Sequence, residues 1–168
     1  MSPDKIQRKS AKKSVHANTA PSSVRRVPSS DDAHSVVYFR RHEDDDPLQS
    51  SPGREFLQSC PAKVRATMRA VLTAVAAAPP KSFSGGGYWE AMHDGMTGWF
   101  EIRVDGPKRN HYRLFCRLDY EAQGLDKPLL VVIEGRSKPF RTTLSDDDYA
   151  AVRELGDEYF ARNPRSII

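Results

Sequence analysis

Residues Gly98 to Leu118, GWFEIRVDGPKRNHYRLFCRL, constrain the fold more than any other stretch of this chain. Two runs alternate apolar with polar residues on either side of Asp105-Gly106-Pro107. Because successive side chains of a strand face opposite ways, the pattern predicts an antiparallel hairpin whose turn is the Asp-Gly-Pro segment. Phe100, Ile102 and Val104 fall on one side with Tyr112, Leu114, Cys116 and Leu118. Trp99, Glu101 and Arg103 fall on the other with His111, Arg113, Phe115 and Arg117. The hairpin thus has an oily face and a face rich in arginine.

The flanking sequence supplies what would pack on it. His34 to His42 is a short β-rich run and reads as a first strand, closed by the acidic loop Glu43 to Pro47. Gly53 to Cys60 reads as a short helix with Phe56 and Leu57 inward. A longer helix opens at Pro61 and carries the apolar stripe Val64, Met68, Val71, Leu72 and Val75, and Pro79-Pro80 stops it. Together the two helices form a hairpin that can cover one face of a sheet. The glycine-rich segment KSFSGGGYWEAMHDGMTG lacks the Gly-Lys-Ser/Thr of a phosphate loop and reads as a flexible connection bringing Tyr88, Trp89 and Met92 under the sheet edge. Leu129 to Ile133 is a continuous apolar run, expected at the centre of the sheet, leaving into a loop over Glu134 to Pro139. Ser145 followed by Asp146, Asp147 and Asp148 is a strong helix start, Tyr149, Val152, Leu155 and Tyr159 give that helix its buried stripe, and Asn163-Pro164 ends it. Helices segregated from a three-strand meander predict an α+β fold: a first strand and a helical hairpin on a small, mainly antiparallel sheet, with a C-terminal helix.

Charge divides the chain. Residues 1–30 hold seven Lys or Arg against Asp4 alone, a net +6, so in a chain of +4 the remainder sums to −2 and the pI of about 9.1 belongs to the front. Residues 1–32, without apolar periodicity, are expected to be a disordered basic tail, and 33–168 one domain. Any argument for nucleic acid must then rest on local patches. Cys60 and Cys116 are too few for a disulfide scaffold and sit in apolar patterns, so they read as small buried hydrophobes. No apolar stretch follows the leading charges, and the longest apolar run, around Ala70 to Ala78, is too short to span a bilayer; a cytoplasmic, reducing location and no membrane partner are expected.

Arg103 and Arg113 on the hairpin, with Arg136 and Lys138 just beyond the last strand, could converge on a phosphate. Guanidinium groups hold phosphate oxygens by forked hydrogen bonds and stay charged at every working pH. The plainer alternative is a solvated charged face in which Glu101 pairs Arg103, and spacing leaves both open. His93 and His111 are the histidines available near this face for proton transfer. No metal-ligand spacing and no serine or cysteine nucleophile constellation appears, so neither a metal nor a cofactor is expected.

WFEIRV, then HYRLFC, then LVVIEGRSKPF leading into a helix, resembles the RelE/ParE toxin superfamily, and within it the HigB-like, phage-derived branch, over about residues 35–163. The resemblance implies a toxin of a type II toxin–antitoxin pair that cleaves mRNA on the ribosome without a metal, and a cognate antitoxin of helix-turn-helix form. It implies that Arg113, Arg136 and Lys138 are catalytic, and that Arg103, His111 and Arg117 contact RNA. The chemistry implied is in-line attack by the ribose 2′-hydroxyl, leaving a cyclic phosphate. Pro139 stands where that branch often has a second lysine, and Tyr149 is on the helix instead of close behind the basic loop, which leaves the general acid and base open. Other members of the superfamily poison DNA gyrase, and a former toxin that only binds RNA or a partner is the remaining alternative.

Overall fold

The computed structural model describes residues 29–78 and 87–168. Its elements are β1 (Ser35–Tyr38), α1 (Pro52–Ser59), α2 (Ala62–Ala77), β2 (Trp89–Ala91), β3 (Trp99–Gly106), β4 (Asn110–Asp119), β5 (Leu129–Pro139) and α3 (Asp146–Phe160). They form one five-stranded sheet in the order β1-β5-β4-β3-β2. β1 runs parallel to β5 and the other neighbours are antiparallel. The fold is α+β, with the helical hairpin and the C-terminal helix on opposite faces of the sheet.

Alternation sorts the core into two layers. Ile102, Val104, Leu114, Cys116, Leu130 and Val132 pack against Leu57, Val64, Met68, Leu72 and Val75 of α1 and α2. On the other face Trp99, Phe115, Leu129, Val131 and Ile133 pack against Val152 and Tyr159 of α3. Burial in these layers pushes the Cys60 thiol up to about 11, and it also raises Cys116, so both behave as small hydrophobes. Gly135 lets the hairpin seat closely, because a Cβ there would lie 1.9 Å from the Phe56 ring. Ser145 caps α3 with a full capping box: its hydroxyl accepts from the Asp148 amide and the Asp148 carboxylate accepts from the Ser145 amide.

Three expectations need correction. The middle strand is β4, and β5 lies beside it. Residues 134–139 are not a loop but the outer half of β5, since the β4 pairing continues to Pro139. Trp89 to Ala91 is a fourth antiparallel strand at the edge of the sheet. Just ahead of residue 33, Asp32 is buried, its side chain accepts from the Ser29 amide, and Lys127 Nζ donates to the carbonyls of Ser30 and Asp32. The rest of the tail, Pro79-Pro80 and most of the triple glycine lie outside the described residues.

The chain closes on itself at a place the sequence does not advertise. After α3, Ser166 to Ile168 return to the free edge of β1, where Phe39 bridges Ile167 and the backbones of Tyr38 and Ile168 exchange two hydrogen bonds of 3.0 and 2.9 Å. At the opposite end of the sheet the β3–β4 turn holds Lys108 and Arg109 at φ 58° and 56°, and the turn after β5 holds Arg141 at φ 63°. Left-handed backbone costs a non-glycine residue about 1–2 kcal/mol.

Candidate functional site: a row of arginines on the uncovered end of the sheet

α3 covers only part of its face. Beyond Phe115 that face becomes a polar, partly exposed shelf, with the side chain of Arg103 44% and that of Arg113 16% exposed, and register decides what stands on it. Arg103 pairs Arg113, and Arg113 pairs Arg136, so three arginines sit abreast on β3, β4 and β5 at strand spacings of about 4.8 Å. One row toward the tip come Asp105, His111 and Lys138; one row toward α3 come Glu101, Phe115 and Glu134.

A β-bulge makes this row. Phe115 pairs Glu134 but Cys116 pairs Val132, so Ile133 has no residue opposite it. In an unbroken strand, Arg136 and Lys138 would share a face with Leu130 and Val132, under the helical hairpin. The extra residue shifts the phase by one, and both cations emerge beside Arg113 and His111.

Like charges directly opposite repel, and carboxylates offset that here. Glu101, with its side chain 3% exposed, accepts from Arg103 Nε at 2.6 Å on one oxygen and from Arg113 Nη1 at 2.9 Å on the other. Arg103 also pairs Glu90 at 3.2 Å. Arg136 lies 3.5 Å from Glu134 and 3.4 Å from Asp148 at the start of α3. Lys138 makes no ion pair among the described residues; its Nζ donates to the Thr142 carbonyl. Burial, then the neighbouring Arg113, lowers the Lys138 pKa from the ordinary lysine value, with Glu101 opposing. The Nε atoms of Arg113 and Arg136 are buried without a partner. His111 bonds Asp105 through Nδ1 and stacks on Phe140 at 4.2 Å and 21°.

Of the seven residues singled out in the sequence, five share this shelf: Arg103, His111, Arg113, Arg136 and Lys138. Arg117 does not. It opposes Trp99, four residues further along β4, and its guanidinium lies 5.1 Å from the Trp99 ring and 4.8 Å from Phe160, where burial lowers its pKa. It is wedged under α3 between Trp99 and Phe160. His93 is also elsewhere, lining an open groove of about 490 Å³ with Met92, Tyr149 and Arg153. What spacing could not show was the set of acids: Glu134, Glu90 and Asp148 come from three separate elements. Among the described residues no cluster of His, Cys, Asp or Glu could hold a metal ion, and no helix is long and apolar enough to cross a membrane.

The shelf can present forked donors to an anion lying across three strands, provided that the anion competes with the resident carboxylates. The fold and this row define a small α+β protein with an arginine-lined sheet face. No protein-family model, no curated protein and no solved structure matches the chain.

Proposed function

We propose that this protein is a metal-independent endoribonuclease toxin of the RelE/HigB kind, acting on ribosome-bound mRNA in the cytoplasm and masked by a cognate antitoxin. The observation that carries this reading is the row Arg103–Arg113–Arg136 with Lys138 one row on, all on the uncovered end of one sheet face. In the reaction the ribose 2′-hydroxyl attacks the adjacent phosphorus in line and the bond to the 5′ oxygen of the next nucleotide breaks. A 2′,3′-cyclic phosphate and a 5′-hydroxyl remain. Fixed guanidinium groups stabilise the extra negative charge of the phosphorane, and they need no reorganisation at the moment of reaction. Arg113 is best placed for this role, having a neighbour of the row on either side.

Arg113→Ala should abolish growth arrest on induction and cuts in mRNA mapped by primer extension, and Arg113→Lys, which keeps charge but loses the fork, should be strongly impaired. Undiminished cutting by Arg113→Ala would remove the assignment. A second reading, a protein that binds gyrase, RNA or another partner without cutting, is favoured by the carboxylates at each arginine of the row, which lower its net charge. It predicts no RNA cleavage with or without ribosomes, and its gyrase form predicts loss of supercoiling activity in the presence of the purified protein.

A further inference from the structure

We infer that the tip of the sheet, beyond the arginine row, is a binding site for single-stranded RNA, with Phe140 as the stacking platform and Lys108, Arg109 and Arg141 as phosphate contacts. The choice of RNA rests on the ribonuclease reading; the site itself rests on three observations. First, Lys108, Arg109 and Arg141 all occupy left-handed backbone, a conformation that favours glycine, yet each of these positions carries a long cation. Second, all three are exposed and make no ion pair among the described residues, as Lys138 makes none, while every arginine of the neighbouring row has a carboxylate in contact. Asp105, at the end of β3, is bonded to His111. Third, an aromatic surface stands among these cations. Phe140 is half-buried, stacks on His111 with one face and has the Arg109 guanidinium 6.0 Å from its centroid.

Register connects the tip to the row. The Phe140 amide donates to the Arg109 carbonyl at 2.8 Å, extending the β4–β5 ladder past Pro139. Moving outward along β4 and β5, Arg113 and Arg136 are followed by His111 and Lys138, a step of about 6.7 Å, and beyond the strand ends come Arg109 and Phe140. A positive track ending in an aromatic ring is how single strands are held without sequence preference: phosphates follow the charge and an unstacked base lies on the ring. At 6.0 Å the Arg109 contact is at the outer limit of a cation–π pair, so a base can take its place on Phe140 while Arg109 turns to a phosphate.

The test is anisotropy titration of a labelled, unstructured short RNA, and of its duplex, against the full chain over a range of salt. Lys108→Gly/Arg109→Gly places glycine where the backbone favours it, so its melting temperature should equal or exceed that of the parent. It should bind the single strand more weakly, with a log–log salt slope shallower by about 1.4, two phosphate contacts at about 0.7 each. Phe140→Leu should bind roughly tenfold more weakly with the slope unchanged. Parent-like affinity and slope in the double glycine variant, parent-like affinity in Phe140→Leu, duplex bound as well as single strand, or no binding by the parent would each overturn the inference. The nuclease reading fails separately. A protein that binds through the tip but never cuts keeps this site and loses the chemistry; one that cuts normally as the double glycine variant keeps the chemistry and loses this site.

Discussion

The residue that ties the chain's end to its sheet is Arg165. It is 5% exposed at the side chain and pairs Asp119, 2% exposed, at 2.7 Å, while the Tyr159 hydroxyl donates to the same carboxylate at 2.8 Å. Its guanidinium also lies 5.3 Å from the Tyr159 ring and 5.0 Å from Phe160. Burial alone would raise the Asp119 pKa, but Arg165, the Glu121 amide and the Tyr159 hydroxyl together hold it below the usual 3.8. A depressed carboxylate contributes stability that is present above its unfolded pKa and lost as pH falls through the folded one, so this contribution persists at neutral pH and fades below about pH 4. Arg165→Met should therefore destabilise the fold by about 3–5 kcal/mol at pH 7, since it strands a buried carboxylate. The gap to the parent should shrink as pH falls, because without Arg165 the buried Asp119 carboxylate takes up a proton at a higher pH than it does in the parent. Chemical denaturation at several pH values measures both, and a pH-independent difference would contradict the assignment. On the shelf the buried Glu101 bridges two arginines. Glu101→Gln weakens charge-assisted bonds to Arg103 and Arg113 and should cost about 2 kcal/mol by chemical denaturation at pH 7.

Among the elements, β5 decides the site. Alternation alone revealed the hairpin's two faces, and both hold: Ile102 and Leu114 are fully buried on one and Arg103 and Arg113 stand on the other. The same alternation could not give the side taken by Arg136 and Lys138. LLVVI runs into EGRSKP without a break, and nothing local marks Ile133 as the bulged residue. The bulge is a tertiary outcome, in which Ile133 joins the layer under α3 and the polar half of the strand turns away from the helical hairpin. The consequence is checkable without activity. Arg113→Cys/Arg136→Cys should react with a short bifunctional maleimide to a crosslink, because the two are register partners; an unbulged β5 would put them on opposite faces and yield none. The edges were illegible for a different reason. β2 has three residues beside a glycine-rich stretch, and the returning segment Ser166 to Ile168 is shorter still, so neither carries enough period-two pattern to be read. Long stripes on α2 and α3 were legible because they bury whole faces.

Taken whole, the molecule has helical layers of opposite sign. α1 and α2 carry Arg54, Lys63, Arg65 and Arg69 against Glu55, whereas α3 carries Asp146, Asp147, Asp148, Glu154, Asp157 and Glu158 against Arg153. On the proposed reading, an RNA strand entering the shelf would be repelled at the α3 border and drawn toward the tip, the direction in which carboxylates run out. That would separate two tasks. The row near α3 is held stiffly by its carboxylates, which suits fixed geometry at a reacting phosphate; the tip keeps its charge, which suits capture. The fold made the row possible, but chemistry at the row is the central claim. It is tested most directly by incubating the purified protein and its Arg113→Ala variant with ribosomes carrying a defined mRNA and mapping the new ends. The account predicts metal-independent cuts with 2′,3′-cyclic phosphate termini from the parent and none from the variant. Intact mRNA with the parent, or identical cuts from both proteins, would contradict it.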